Sequence, residues 1–369
     1  MIIGCPKEVK VQEYRVGLTP DNVRAYVQEG HTVYVEHNAG VAIGFADEDY
    51  KAAGAILASK EEVFANAEMI IKVKEPIPSE YSYFKPNTVL YTYLHLAADR
   101  ELTEMLIEKN ISAVAYETIK TPAGLPCLQP MSQIAGRLAA LESAKYSQIT
   151  FGGRGQLFSG VPGTPKGKVL ILGGGIVGLN AAQIAMGMGA DVTIMDIDAN
   201  RLAYIDQMFS MRIKTLFSSR ENLLAELPEA DAVIGAVLIP GAKAPKLVRR
   251  EDLKLMKQGA ILTDVAIDQG GCFETSKATT HNEPVYLVDG VVHYCVANMP
   301  GCVARTSTIA LTNSTLKYGI ELANKGVEAA CRADSALKAG LNTYKGHITF
   351  QGVAQAFDLP YVEADVALG

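Results

Sequence analysis

Arg15, Lys74 and His95 are three bases whose types and places could bind a small organic anion and move a proton on it. In the stretch IIKVKEPIPSEYSYFKPNTVLYTYLHLAAD, residues 70–99, two apolar runs of strand character each end in a base. Lys74 closes the first and His95 the second. Arg15 stands in KEVKVQEYRVGLTP, the loop after the first strand. A lone lysine at a strand end ordinarily carries its ammonium out to water, and a lone histidine among apolar residues is ordinarily a packed one. Three bases beyond strand carboxyl ends are different, because ligands of open parallel sheets bind there. Arginine offers a planar fork for a carboxylate, lysine a point charge for a further oxygen, and histidine a proton near neutral pH. By strand alternation His95 shares a face with Tyr91 and Tyr93, opposite Leu94 and Leu96.

The sequence KVLILGGGIVGLNAAQIAMGMGADVTIMD supplies the second site. Gly173, Gly175 and Gly178 form GxGxxG directly after a strand and at the start of a helix. The first glycine permits the tight turn, the second lets backbone approach a pyrophosphate, and the third lets helix and strand pack closely. The free amides at the helix start then face the phosphates. The next strand ends in Asp196, where an acid accepts from the adenosine ribose hydroxyls and repels a 2′-phosphate. NAD is therefore expected rather than NADP, with Arg201 close enough in sequence to soften the preference. Facing a nicotinamide, the three bases suit a 2-amino or 2-hydroxy acid.

The elements that must position these residues alternate. MIIGC reads as a strand, Thr19-Pro20-Asp21 as a helix start ending near Gly30, and HTVYVE as a strand. Ser59 and Glu62 are spaced as a capping box. Strands follow near 69–74 and 88–94, Asp99 caps the helix RELTEMLIEKN, and ISAVAYE is a strand. This rhythm predicts a mainly parallel sheet with helices on its faces. Pro122, Gly124, Pro126 and Pro130 then mark a boundary before the long helical pattern MSQIAGRLAALESAKYSQ. Past the glycine-rich FGGRGQLFSGVPGTPKG a second alternation begins, with strands KVLILG, DVTIMD, DAVIGAVL and AILTDVAI, which predicts a second doubly wound domain. From about 303 to 333 the chain reads as helical again.

At 369 residues, 49% hydrophobic and 20% charged, the chain is long enough for two or three domains with substantial cores. A net charge of −6 and the lack of a Lys/Arg block argue against nucleic acid or an anionic membrane as partner. Small molecules or further copies of the chain are the expected partners. No apolar run is long enough to cross a bilayer, and the start lacks the pattern of a signal peptide, so a cytoplasmic location is expected. The six cysteines show no CxxC pair and no regular spacing, so neither a metal site nor a disulfide framework is expected.

The runs PKEVKVQEYRVGLTP, KVKEP, TYLHLAA, GRLAA, GGRG, IGAVLIPGAKAPKLV, DVAIDQGGCFE and YCVANMPG resemble those of the alanine dehydrogenase family, in order and over essentially the whole chain. The resemblance implies two doubly wound, Rossmann-like α/β domains with mainly parallel sheets and the active site in the cleft between them. Residues 1–128 plus 305–369 would form a discontinuous substrate domain, and residues 129–304 the NAD domain inserted in it. It implies a homohexamer and the reversible oxidative deamination of L-alanine to pyruvate and ammonia with NAD. Arg15 and Lys74 would hold the carboxylate and keto oxygen, and His95 and Asp268 would act in proton transfer. Ser132, the glycine turn, Asp196 and Arg201 would contact the cofactor, with Asn298 and Met299 near its nicotinamide end. The alternative is the NAD-binding subunit of a proton-translocating transhydrogenase, a related fold whose pattern lacks the bases of KVKEP and TYLHL and the acid of AIDQGG. A non-catalytic NAD-sensing protein is a third reading.

Overall fold

The short apolar runs MII, AVIG and ILTD become strands buried on both faces, as parallel sheets with helices on each side require. The computed structural model describes residues 1–237 and 244–369. Leu238, the end of the expected strand DAVIGAVL, and part of IGAVLIPGAKAPKLV lie outside the described residues.

The chain divides into two units, Met1–Met131 with Gly301–Gly369, and Ser132–Pro300. Numbered in chain order, the first unit opens with β1 (Ile2–Cys5), β2 (Thr32–Glu36), β3 (Ile56–Ala58), β4 (Met69–Ile71), β5 (Val89–Thr92) and β6 (Ser112–Ala115). The second unit holds β7 (Lys168–Leu172), β8 (Asp191–Asp196), β9 (Lys214–Phe217), β10 (Ala232–Gly235), β11 (Ile261–Asp264), β12 (Val285–Val288) and β13 (Val291–Tyr294). The chain then returns to the first unit with β14 (Leu341–Tyr344) and β15 (His347–Ile348).

The first sheet runs β15-β14-β6-β5-β4-β1-β2-β3 and the second β12-β13-β11-β10-β7-β8-β9. Each is parallel through six strands and turns antiparallel only at one edge, where hairpins close the sheet. In each, strand order reverses beside the unit's first strand, between β1 and β4 and between β7 and β10. Such a switch point opens a crevice at the strand carboxyl ends, which is where a doubly wound sheet binds its ligand. Both units are thus Rossmann-like.

Local chemistry sets the helix starts. Thr19 caps Pro20–Gln28, Ser59 and Glu62 form the expected capping box, and Asp99 caps Arg100–Glu108 at Leu102 N. The long helix expected from Met131 runs Gln129–Tyr146. In the first unit Phe64, Ile70, Leu90, Leu94, Leu102 and Leu106 pack into one core. In the second unit Leu170, Leu172, Val233, Leu262 and Phe273 do the same. Each such side chain contributes about 1.5–3 kcal/mol on burial, which fixes the strand ends that carry the polar residues.

Two hairpins are absent from the sequence reading: β12–β13 turns at Asp289 and Gly290, and β14–β15 at Lys345 and Gly346, all four with positive φ. Asp-Gly between apolar runs is the signal that locates the first.

Candidate functional site

The regular strands stop before the two bases that the sequence puts at their ends. β4 ends at Ile71 and β5 at Thr92, so Lys74 and His95 each lie three residues further on. Tyr93 N still donates to Val73 O at 3.3 Å, but side-chain carboxylates take the amides around it. Glu8 Oε1 accepts from Val73 N at 2.6 Å and from Lys74 N at 3.2 Å. Glu117 accepts from Leu94 N at 3.1 Å and from His95 N at 2.7 Å. His95 takes a left-handed conformation, φ 49° and ψ 33°, so strict alternation ends before it. Its ring nevertheless lies 6.0 Å from that of Tyr93, while Leu94 and Leu96 are buried.

Charges on this edge of the first sheet are mostly matched. Arg15 is buried, and Glu13 grips it at Nε (2.7 Å) and Nη2 (2.6 Å), with Nη1 3.2 Å from Met131 Sδ. Lys72 is wholly buried, with Nζ 2.7 Å from Glu80 Oε1 and 3.3 Å from Glu8 Oε2. Burial would lower its pKa, yet two carboxylates raise it, so Lys72 stays charged. Lys10 pairs with Glu75 Oε1. Lys74 differs: it is half-buried, and among the described residues no acid lies within ion-pair distance of its Nζ. A half-buried ammonium without a counterion is the group on this edge that an oxygen ligand would complete.

His95 presents a 45% exposed side chain, with Nδ1 3.4 Å from Glu75 Oε2. Burial pulls its pKa down, but the pairing with Glu75 and the charge of Glu117 outweigh this and raise it, against Lys74. The arrangement can accept or give a proton close to a fixed positive charge.

In the second unit the glycines take three distinct roles. Gly173 has φ 103°, which favours glycine, and turns β7 into the helix Ile176–Gly187. A Cβ on Gly175 would meet nothing within 4 Å, so space lies open where a pyrophosphate could approach the helix start. A Cβ on Gly178 would sit 1.8 Å from Gly173 O, so helix and turn touch there. Asp196 is half-buried at the end of β8 and accepts from Gly174 N at 2.6 Å and from Asp198 N at 2.9 Å. Arg201 donates through Nε to Gly174 O, and its guanidinium lies 5.2 Å from the Tyr204 ring centroid. Asp196 and Arg201 thus brace the turn through Gly174.

Ser132 begins the second unit, one turn before Gly136 on the helix Gln129–Tyr146. A Cβ on Gly136 would lie 2.2 Å from Val177 O, which puts this face of the helix against the start of Ile176–Gly187. Asn298 has φ 59°, its carbonyl 3.3 Å from His281 Nε2, and Met299 is buried after it.

Asp268 is exposed, in a single 3-10 turn, Ile267–Gln269, beyond β11. That turn is clasped by Asp264, which is fully buried and accepts from Ala266 N (3.1 Å), Cys272 N (2.8 Å) and Ser276 Oγ. Lys246 Nζ donates to the carbonyls of Gly271 (2.9 Å) and Phe273 (3.1 Å).

The structure thus gathers Arg15, Lys74 and His95 on one sheet edge of the first unit. It gathers the glycine turn, Asp196 and Arg201 on one edge of the second. Glu8, Glu13, Glu75, Glu117 and Asp264 are the supports that the sequence reading passed over. Their signal is acids set among apolar or basic residues, as in PKEVKVQEYR and ILTDVAI, which burial tolerates only when they are bonded.

These features define a two-domain, Rossmann-like α/β protein whose second unit has the turn of a dinucleotide-binding fold. Residues 4–135 match the family described as Alanine dehydrogenase/PNT, N-terminal domain, and residues 139–351 the corresponding C-terminal domain. Over 370 aligned residues the chain is 53% identical to alanine dehydrogenase 2 of Staphylococcus aureus (strain USA300), with 100% of each covered. It is likewise 53% identical to the alanine dehydrogenase of Staphylococcus haemolyticus, covering 99% of it. A solved L-alanine dehydrogenase superposes with a TM-score of 0.94 at 49% identity, over 97% of this chain and 99% of that one. A transhydrogenase structure from Sinorhizobium meliloti superposes at 0.81 over 95% of this chain and 99% of that one. At 24% identity that likeness speaks to the fold alone. The chain belongs to the alanine dehydrogenase/PNT family.

Proposed function

We propose that this chain is an NAD-dependent L-alanine dehydrogenase, catalysing the reversible oxidative deamination of L-alanine to pyruvate and ammonia. The observation that carries this reading is Lys74, an ammonium without a counterion among the described residues, on the same sheet edge as Arg15 and His95. Full-length identity with the staphylococcal alanine dehydrogenases supports it over the transhydrogenase alternative. A sensing protein would have no use for such a set.

In this reading Arg15 holds the substrate carboxylate and Lys74 the oxygen that becomes the keto group of pyruvate. Their fixed charge orients Cα and needs no rearrangement as negative charge develops on that oxygen. Gly173, Gly175 and Gly178 cradle the pyrophosphate, Asp196 takes the ribose hydroxyls, and Arg201, Ser132, Asn298 and Met299 complete the cofactor contacts. The open space at Gly175 and the carboxylate of Asp196 at the strand end fit such a group. NAD, when bound, supplies the hydride acceptor. The chain's own residues manage protons and charge. His95 takes the proton of the water that attacks the imine carbon and returns one to the departing nitrogen. Asp268 offers negative charge to the cationic imine.

The test is NADH absorbance on mixing the protein with NAD and a panel of 2-amino acids, and the reverse with 2-oxo acids, ammonia and NADH. L-Alanine and pyruvate should turn over best. NAD binding without any NADH formation would overturn the reading. The same reading includes a homohexamer in the cytoplasm, and native mass spectrometry reads the subunit number.

A further inference from the structure

We propose that Glu75 is a positioning residue for the reaction: it holds the Nδ1–H of His95, so that Nε2 is the nitrogen that exchanges protons with substrate or water. This rests on the reading of His95 as the acid/base group.

Glu75 directly follows Lys74, so one short loop would deliver both the substrate cation and the carboxylate behind the histidine. Its Oε1 is held by Lys10, and its Oε2 lies 3.4 Å from His95 Nδ1. That Oε2 is buried and accepts no hydrogen bond among the described residues. The other acid near the ring, Glu117, directs its carboxylate at the backbone amides of Leu94 and His95. Of the remaining neighbours, Lys74 repels a charged ring and Tyr93 contributes only its ring face. Glu75 is therefore the acid with an oxygen to spare for the imidazole.

A separation of 3.4 Å is an ion-pair distance, longer than a well-formed hydrogen bond. Catalytic contacts of this kind tighten when charge appears. The contact closes when the ring takes its second proton, because an imidazolium satisfies a carboxylate oxygen that is otherwise buried unmade. Burial alone would raise the Glu75 carboxyl, but the pairing with His95 and the charges of His95, Lys74 and Lys10 bring it down to about 2. It is thus ionised wherever His95 titrates.

The sign follows. Oxidation of alanine needs neutral His95 as base, so kcat/KM rises with pH through the His95 pKa. Removing the negative charge of Glu75 lowers that pKa and moves the rising limb to lower pH. Loss of the fixed tautomer lowers turnover about ten- to a hundredfold, the scale seen for carboxylates behind metal-bound histidines.

The experiment uses the full chain with 15N-labelled histidine, in wild type, E75Q, E75D and H95Q. Six histidines are present, so the His95 signals are those that H95Q removes. NMR titration gives the pKa and tautomer of the ring, and the pH profile of kcat/KM is measured beside it. In E75Q the ring pKa and the kinetic limb should both fall by about one unit, with the Nδ1–H tautomer depleted and KM for alanine within a few-fold. E75D should recover part of each, and serves as the second variant if E75Q folds poorly. A ring that keeps its wild-type pKa and tautomer in E75Q and E75D overturns the role of Glu75. A rising limb that survives in H95Q overturns the assignment of His95 itself, whatever Glu75 does to the ring.

Discussion

The backbone N–H of His95 donates to Oε1 of Glu117 at 2.7 Å, and His95 sits at φ 49° as it does so. A left-handed conformation costs a side chain with a Cβ about 1–2 kcal/mol, so the bond from Glu117 is what holds the imidazole where it is. Glu117→Ala should leave the amides of Leu94 and His95 without that acceptor. Turnover should fall about a hundredfold, the cost of misplacing a reacting group by an ångström, and the melting temperature by a few degrees. NADH affinity, read by fluorescence titration, should stay near wild type, because the glycine turn belongs to the other unit. Glu117→Gln keeps one acceptor and should recover part of the loss. Turnover within twofold of wild type in the Ala variant would show that the ring finds its place unaided.

The two lysines of KVKEP should fail in different ways. Lys72 is wholly buried between Glu8 and Glu80, so Lys72→Met leaves two carboxylates buried without their cation, a loss of about 3–5 kcal/mol of stability. Among the described residues Lys74 has no such ion-pair partner, so Lys74→Met should leave the melting temperature close to wild type. In exchange it should lose about two to three orders of magnitude in turnover, the scale for removing one electrostatic stabiliser. Thermal melts and alanine assays on the two variants separate these outcomes. A Lys74→Met protein that unfolds early but keeps its activity would reverse the assignment.

Asp196 Oδ2 already accepts from Gly174 N at 2.6 Å, and in the proposed function the same carboxylate also takes the ribose hydroxyls. Asp196→Ala should therefore weaken NADH by about ten- to a hundredfold, as expected for hydrogen bonds to a charged group. It should narrow the gap to NADPH, because a repulsion disappears with the bonds. Asp196→Asn keeps an acceptor and should bind NADH better than Ala while still admitting NADPH. Fluorescence titrations with the two nucleotides check this, and unchanged selectivity in both variants would remove Asp196 from the ribose.

How much of this was legible in the sequence depends on the range of the interaction. The glycine turn was legible because each glycine answers a local demand: a positive φ at Gly173, open space at Gly175 and a 1.8 Å approach at Gly178. The parallel sheets followed from apolar runs alternating with capped helices. The supports of the bases were not legible, because Glu8 meets Val73 and Lys74 across 65 and 66 residues of chain, and Glu117 meets His95 across 22. Only the switch point between β1 and β4 brings the first pair together, and periodicity does not report strand order. The strand ends fall short of the apolar pattern for the same reason: apolar character continues to Val73 and Leu94, but the amides there donate to side-chain carboxylates.

Asp264 and Asp268 stand four residues apart and should separate structure from chemistry at the end of β11. Asp264 is fully buried and takes hydrogen bonds from Ala266 N, Cys272 N and Ser276 Oγ, which fold the turn back on the strand. A Cβ on Gly271 would come within 2.5 Å of its Oδ2, so the clasp leaves no room for a side chain there. Asp268 rides on this clasped turn, exposed. Asp264→Asn places an NH2 among donors, which should cost about 1–3 kcal/mol and lower the melting temperature along with activity. Asp268→Asn keeps shape and loses charge at a group whose side chain makes no such hydrogen bonds among the described residues. If Asp268 meets the cationic imine, its help is greater in the transition state than in the ground state, so kcat should fall about a hundredfold or more with KM for alanine little changed. The melting temperature should not move. Kinetics and thermal melts on the pair decide it: an Asp268→Asn protein that turns over alanine within a few-fold of wild type makes Asp268 a turn residue, and His95 then acts without it.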